Sequence, residues 1–325
     1  MLLTEFGLDN SFLESDELTS KSTNRKLLDL WKDYGVLVFG NHQNPDFILE
    51  KLKEKISPKV YLEWRDAFSD YKIINLTKTW DTFCNYNDYK EIVELKDIFK
   101  TGITEPITLE LIGQLPNYIS YCSHSKFEVV EIDDLDNSVN FKLAKKISTK
   151  DIEYQDDNEK IWEEKFQSLS RFTKNIVIID HYFLRNIIED KRKGRQTNVE
   201  YILEKLKLNG KRYNITIISL GSNNSSNNYN DIISEFQSIN SSHLKQTYNK
   251  IHIISCNSNY FKVLAHDRFI QFDDYVCTLG KGLDVFRSID TPQCTFSMVK
   301  EENSDIRKRI NLVHNYKHWE HEFLP

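Results

Sequence analysis

Residues Leu264–Asp284 read LAHDRFIQFDDYVCTLGKGLD. On an extended strand, alternate side chains share a face, so His266, Arg268 and Ile270 point the same way. A hairpin turning near Phe272–Tyr275 would carry Asp273 back towards His266. Gly280 and Gly282 then bracket Lys281 in a tight turn. Written out, the spacing is His266-x-Arg268-x4-Asp273-x6-Gly280. Its reading decides between an amphipathic hairpin with ordinary charges and a phosphoryl site on a layered sheet.

The flanks favour the sheet. NIVIID (175–180), NITIISL (214–220) and KIHIISC (250–256) are short apolar runs of buried-strand type. Between them lie amphipathic helices: IWEEKFQSLSRFT (161–173), NVEYILEKLKLNG (198–210) with a glycine stop, and DIISEFQSIN (231–240). GSNNSSNNYN (221–230) reads as a polar loop. Strands alternating with helices predict an α/β fold. The first half repeats the theme with helices in TNRKLLDLWKDYG (23–35), NPDFILEKLKEKI (44–56) and PKVYLEWRDAFSDYK (58–72) around the strand VLVF (36–39). EPITLELIG (105–113) to FEVVEIDDL (127–135) reads as strands and loops. A polar stretch at 133–160 predicts a boundary, giving a smaller N-terminal α/β domain over 1–149 and a second domain over 150–325.

At 325 residues, 39% of them hydrophobic, with 19 Phe, 16 Tyr and 5 Trp, the chain can bury a sizeable core, and its length favours two domains. The net charge of −6 excludes a globally basic nucleic-acid binder, so any such contact must be local. The five cysteines, Cys84, Cys122, Cys256, Cys277 and Cys294, form no CxxC and read as free thiols in a reducing compartment. The opening MLLTEFGLDNSFLESDEL carries five acidic residues and no basic segment, unlike a secretory signal. No run reaches the roughly 18 apolar residues of a spanning helix. A soluble, cytoplasmic protein is expected. Abundant Asn, Lys and Ile point to an AT-rich, prokaryotic source.

Metal-free phosphoryl transfer needs a nucleophile, cationic donors for the phosphoryl oxygens and a proton donor for the leaving group. His266 can attack, Arg268 can clamp two oxygens, and Asp273 can orient an imidazole. The structural alternative for His266 is a core histidine bonded to a buried carboxylate.

This spacing resembles the HxKxxxxDxxxxxxG signature of the phospholipase D superfamily, with Arg268 in place of Lys. GKGLD stands where that family has Gly-Ser-x-Asn. A closer likeness is to the phospholipase D-like C-terminal domain of MIT-domain proteins. It is carried by KFQSLSRFTKNIVIIDHYF, HDRFIQFDDYV with LGKGLDVF, and DIRKRINLVHNYKH, over residues 155–320. The resemblance implies a mostly parallel sheet flanked by helices. It also implies catalysis by two such motifs, one His attacking and the other protonating the leaving oxygen. This chain has one motif, so an active enzyme would be a homodimer. No cofactor is implied. The resulting expectation is a metal-independent phosphodiesterase acting on DNA or RNA, a nuclease effector of prokaryotic anti-phage defence with possible further subunits. The alternative is an inactive module holding a nucleic-acid, nucleotide or lipid phosphate as a sensor or adaptor. A third reading places the activity in the first half.

Other residues carry paired readings. Gly280, Lys281 and Gly282 make a tight turn or let backbone approach a phosphate. Asp180, His181 and Tyr182 follow a strand, where open α/β sheets bind ligands, or they cap and pack. Lys191, Arg192, Lys193 and Arg195 are a solvated loop or a nucleic-acid patch, which Arg307, Lys308 and Arg309 could extend. His314, His318 and His321 share a helical face by spacing, but without Cys or acids at ligand spacing no metal site is expected. Asp9, Glu14, Glu63, Asp66 and Asp81 are too scattered for a metal-dependent nuclease centre.

Overall fold

A computed structural model of the chain describes residues 1–74, 79–122, 126–221, 226–265, 267–287 and 290–325. They form two compact α/β units, Leu2–Lys146 and Ile147–Pro325. Among the described residues no helix is long and apolar enough to cross a membrane.

The first unit holds five strands: β1 Thr4–Leu8, β2 Gly35–Val38, β3 Ile73–Ile74, β4 Thr101–Thr104 and β5 Glu128–Glu131. Their order is β3-β2-β1-β4-β5 and every pairing is parallel. Parallel sheets are covered on both faces, and β1, β2 and β4 are buried throughout. One core gathers Phe6, Leu8, Trp31, Trp64 and Phe141. The other gathers Val38, Trp80, Phe83, Phe99 and Phe127. Gly7 and Gly102 are register partners on β1 and β4. A Cβ at Gly7 would lie 2.6 Å from the Trp80 ring, and one at Gly102 would lie 2.4 Å from the Phe83 ring. Both glycines therefore let aromatic rings rest on the sheet. EPITLELIG is not a strand. Pro106–Gly113 is a helix with its proline in the first turn, where proline's fixed φ and missing N–H cost nothing.

The second unit holds β6 Asn175–Ile179, β7 Tyr213–Leu220, β8 Tyr248–Cys256, β9 Arg268–Phe272, β10 Tyr275–Leu279, β11 Phe296–Lys300 and β12 Lys317–Phe323. The order is β11-β10-β9-β6-β7-β8-β12. β6, β7 and β8 pair in parallel. All other pairings are antiparallel. The sheet is therefore mixed rather than mostly parallel, because the quoted stretch forms a hairpin that turns back on itself beside β6. Helices Phe183–Arg192 and Asn198–Lys207 link β6 to β7, and Ser258–Val263 leads from β8 towards β9. Trp162, Phe166, Phe272, Phe286 and Phe296 interlock by ring contacts of 5.3–6.1 Å. Ile179, Ile218, Phe261, Phe269 and Ile306 form another core.

Candidate phosphoryl site

Strand direction assembles the site. β9 runs antiparallel to β6, pairing Phe269 with Ile179, and antiparallel to β10, pairing Arg268 with Leu279. The end of β6, the start of β9 and the end of β10 therefore share one edge of the sheet. Asp180, Arg268 and Gly280 meet there, at the carboxyl end of the parallel strands, where α/β sheets place ligand sites.

Asp180 is buried. Its Oδ1 accepts the Tyr182 N–H at 2.9 Å and its Oδ2 accepts the Leu283 N–H at 2.8 Å. Arg268 Nε lies 4.0 Å from Oδ1. Burial raises the Asp180 pKa above the ordinary carboxylate value, against those two hydrogen bonds and Arg268. Gly282 closes over this carboxylate with φ +65°, and a Cβ there would fall 2.1 Å from Oδ2 and 2.5 Å from Arg268 Cδ. Asp180 thus ties the loop after β6 to the loop after β10. Asp180, a candidate phosphate-site residue by its place at a strand end, has both carboxylate oxygens engaged by backbone N–H groups.

Arg268 Nη1 donates to the Gly280 carbonyl, and its guanidinium stands 5.3 Å from the centre of the Tyr182 ring. Its Nε is buried and has no hydrogen-bond partner. Tyr182 stacks on His181 at 4.4 Å, and His181 stacks on Phe261 at 4.8 Å. Arg185 also stands 5.8 Å from the Tyr182 ring. The His181 pKa is lowered, first by burial and then by Arg268, Arg185 and Lys262. A neutral imidazole with an unpartnered Nε2 thus sits among three cations. Among the described residues, Arg185, Lys262 and Lys281 form no ion pair.

Asp284 follows in the single helical turn Gly282–Phe286. It accepts from Asn186 Nδ2 and lies 3.9 Å from Arg287 Nη1. Burial, and next the Asp180 carboxylate, push its pKa up to about 6 against Arg287 and Arg268. Arg287 is itself anchored by two 2.7 Å bonds to buried Asp190. Asp284, Asn186, Arg185 and Lys262 carry no signal in the spacing that singled out His266. Only Asp284 lies within the quoted stretch.

Other expected site residues fall differently. His266 lies outside the described residues. Asp273 is not brought to Arg268. It occupies the two-residue turn between Phe272 and Tyr275 with φ +47°, a turn conformation of short hairpins. Five residues of strand separate it from Arg268, about 17 Å at strand rise. Its carboxylate accepts Lys174 N, Asn175 N and Asn175 Nδ2, each at 3.0 Å. The basic run is neutralised. Lys191 pairs with Glu235 at 3.0 Å and Glu200 at 3.7 Å, Arg192 with Asp231 at 3.0 Å, Lys193 with Glu189 at 2.5 Å and Arg195 with Asp190 at 2.7 Å. Clefts of about 430 and 470 Å³ flank Lys191, at the opposite end of helix Phe183–Arg192 from His181 and Tyr182. Their lining cations are the ones paired above. His318 and His321 lie on β12 and His314 in the turn Val313–Asn315, so the three share no helical face.

No protein-family model matches the chain, and no curated protein matches it. What the site does therefore rests on its own residues.

Proposed function

We propose that Ile147–Pro325 binds the phosphoryl group of a phosphodiester at the carboxyl edge of its sheet and hydrolyses it without a metal ion, in the manner of phospholipase D-like nucleases. The observation that carries this reading is the electrostatics around His181. Arg268 Nε–H has no hydrogen-bond partner, and Arg185 and Lys262, which with Arg268 depress the His181 pKa, form no ion pairs of their own among the described residues. Cations gathered in this way stabilise the charge of a phosphoryl group in transfer.

In the proposed reaction His266 attacks phosphorus and a phosphohistidine forms as the ester P–O bond breaks. The leaving oxygen takes a proton from the His266 imidazole of a second copy. Water then attacks phosphorus as the second imidazole takes its proton, and the P–N bond breaks, freeing the histidine and a phosphomonoester. The site would be a homodimer, and the biological setting we propose is a prokaryotic anti-phage nuclease, alone or with other subunits. The test is cleavage of single- and double-stranded DNA and RNA in EDTA. Cleavage by the wild type and none by His266→Ala is the expected result. No cleavage of any of these by the wild type sinks the hydrolase.

One observation favours the second reading, a module that holds a phosphate without cutting it. Asp273, expected to orient the chemistry, is engaged at the hairpin tip. Under that reading the wild type binds oligonucleotides and cleaves none, and Arg268→Ala abolishes the binding.

A further inference from the structure

The basic run expected to meet nucleic acid is spent on internal ion pairs, whereas unpaired cations gather elsewhere. Arg185 projects from the first turn of helix Phe183–Arg192. Lys262 lies near the end of helix Ser258–Val263, next to Phe261, which stacks on His181. Lys281 lies between Gly280, whose carbonyl holds Arg268, and Gly282, which covers Asp180. All three are exposed, and they come from three separate elements at one sheet edge. The acids at this edge are Asp180, which burial pushes towards its neutral form, half-buried Asp284 and exposed Asp267.

We propose that Arg185, Lys262 and Lys281 form a track for the backbone of a nucleic-acid strand, each meeting a phosphate beside the one held at Arg268. This rests on the phosphoryl site proposed above and names the residues that guide its nucleic-acid strand. A lipid headgroup or a mononucleotide brings its phosphates to one point and needs one clamp. Cations spread over three elements suit a polymer that places a charge at every step. Because the three side chains are exposed and unpaired, binding a strand breaks no existing ion pair, unlike binding at Lys191–Arg195.

The test uses the full chain carrying His266→Ala, so that cleavage cannot interfere, and a fluorescein-labelled dT20 probe read by anisotropy between 50 and 200 mM NaCl. Each phosphate contact on a single strand adds about 0.7 to the slope of log affinity against log salt. The triple variant Arg185→Gln, Lys262→Gln, Lys281→Gln should lose a slope of about 2. The parent's affinity should then fall about 16-fold more than the variant's across that salt range. The control variant Lys191→Gln, Arg192→Gln, Lys193→Gln should keep the parent slope. An unchanged slope in the first variant, or the loss appearing in the control instead, overturns the track. Binding to phosphatidylserine vesicles with none to dT20 overturns it also, in favour of a membrane. The expected loss of slope in the first variant alongside absent cleavage by the wild type would sink the hydrolase and leave the track standing.

Discussion

Asp180 and Leu283 are 103 residues apart in the chain, yet a 2.8 Å hydrogen bond joins the carboxylate of the first to the backbone N–H of the second. The bond exists because Gly282 has no side chain. At φ +65°, with a Cβ position 2.1 Å from Asp180 Oδ2, any other residue must both adopt a left-handed conformation and displace the carboxylate. Gly282→Ala should cost about 2–4 kcal/mol. Urea unfolding measures this, with Gly194→Ala as the comparison. Gly194 shares a φ of +65°, but nothing lies within 4 Å of its Cβ position. Equal losses in the two variants would refute the close contact.

Asp273 should matter to the fold and not to phosphate chemistry. Its carboxylate accepts two backbone N–H groups and one side-chain amide from Lys174 and Asn175. Asp273→Ala leaves those donors to solvent and should cost about 1–3 kcal/mol. Oligonucleotide binding per folded molecule should stay within twofold of wild type. A tenfold loss of binding at unchanged stability would restore Asp273 to the site.

The contrast between Asp273 and Asp180 shows what was legible. The strands at 175–179, 213–220 and 248–256 could be read because uninterrupted Ile-rich runs leave few alternatives. Arg268 and the Gly-Lys-Gly turn were also visible in one stretch. Asp180 was visible as a residue at a strand end, but its proximity to Arg268 was not, because spacing along a chain measures contour and not distance. An extended strand carries Asp273 away from Arg268, while strand pairing brings Asp180 within 4.0 Å. The same holds for Lys191–Arg195. A run of cations is plain in sequence, but the acids that meet it come partly from the helix Ser226–Asn240. The helix Pro106–Gly113 was hidden by Ile and Thr, whose strand preference its proline overrode.

Asp284 predicts a pH dependence. Its folded pKa of about 6 lies above the ordinary 3.8, so the folded protein holds the extra proton between those values. Asp284 therefore supports the fold fully below about pH 4, and that support is lost as pH rises through 6. Asp284→Asn keeps an acceptor for Asn186 and removes the charge. Relative to wild type it should gain about 1–2 kcal/mol between pH 4 and 7, allowing for solvent screening of a side chain 32% exposed. Thermal melts across that range check this. A constant difference between the two proteins would exclude the proton linkage.

Lys165 predicts the opposite sign. It is 3% exposed, in a π-helical turn, with Nζ donating to the Ile147 and Lys150 carbonyls and standing 3.9 Å from the centre of the Phe296 ring. Burial lowers its pKa to about 8, so the folded state holds fewer protons than the unfolded chain between pH 8 and the ordinary lysine value. Stability attributable to Lys165 should rise as pH climbs from 8 through 10 and be at its lowest below 8. Lys165→Met fills the same space without the charge but leaves two carbonyls without their donor, so the sign of its effect at pH 7 depends on which loss is larger. The slope does not depend on that balance. Wild type should gain about 2–3 kcal/mol on Lys165→Met between pH 7.5 and 10.5. Parallel denaturation curves over this range would mean that the ammonium reaches water and is not held in the core.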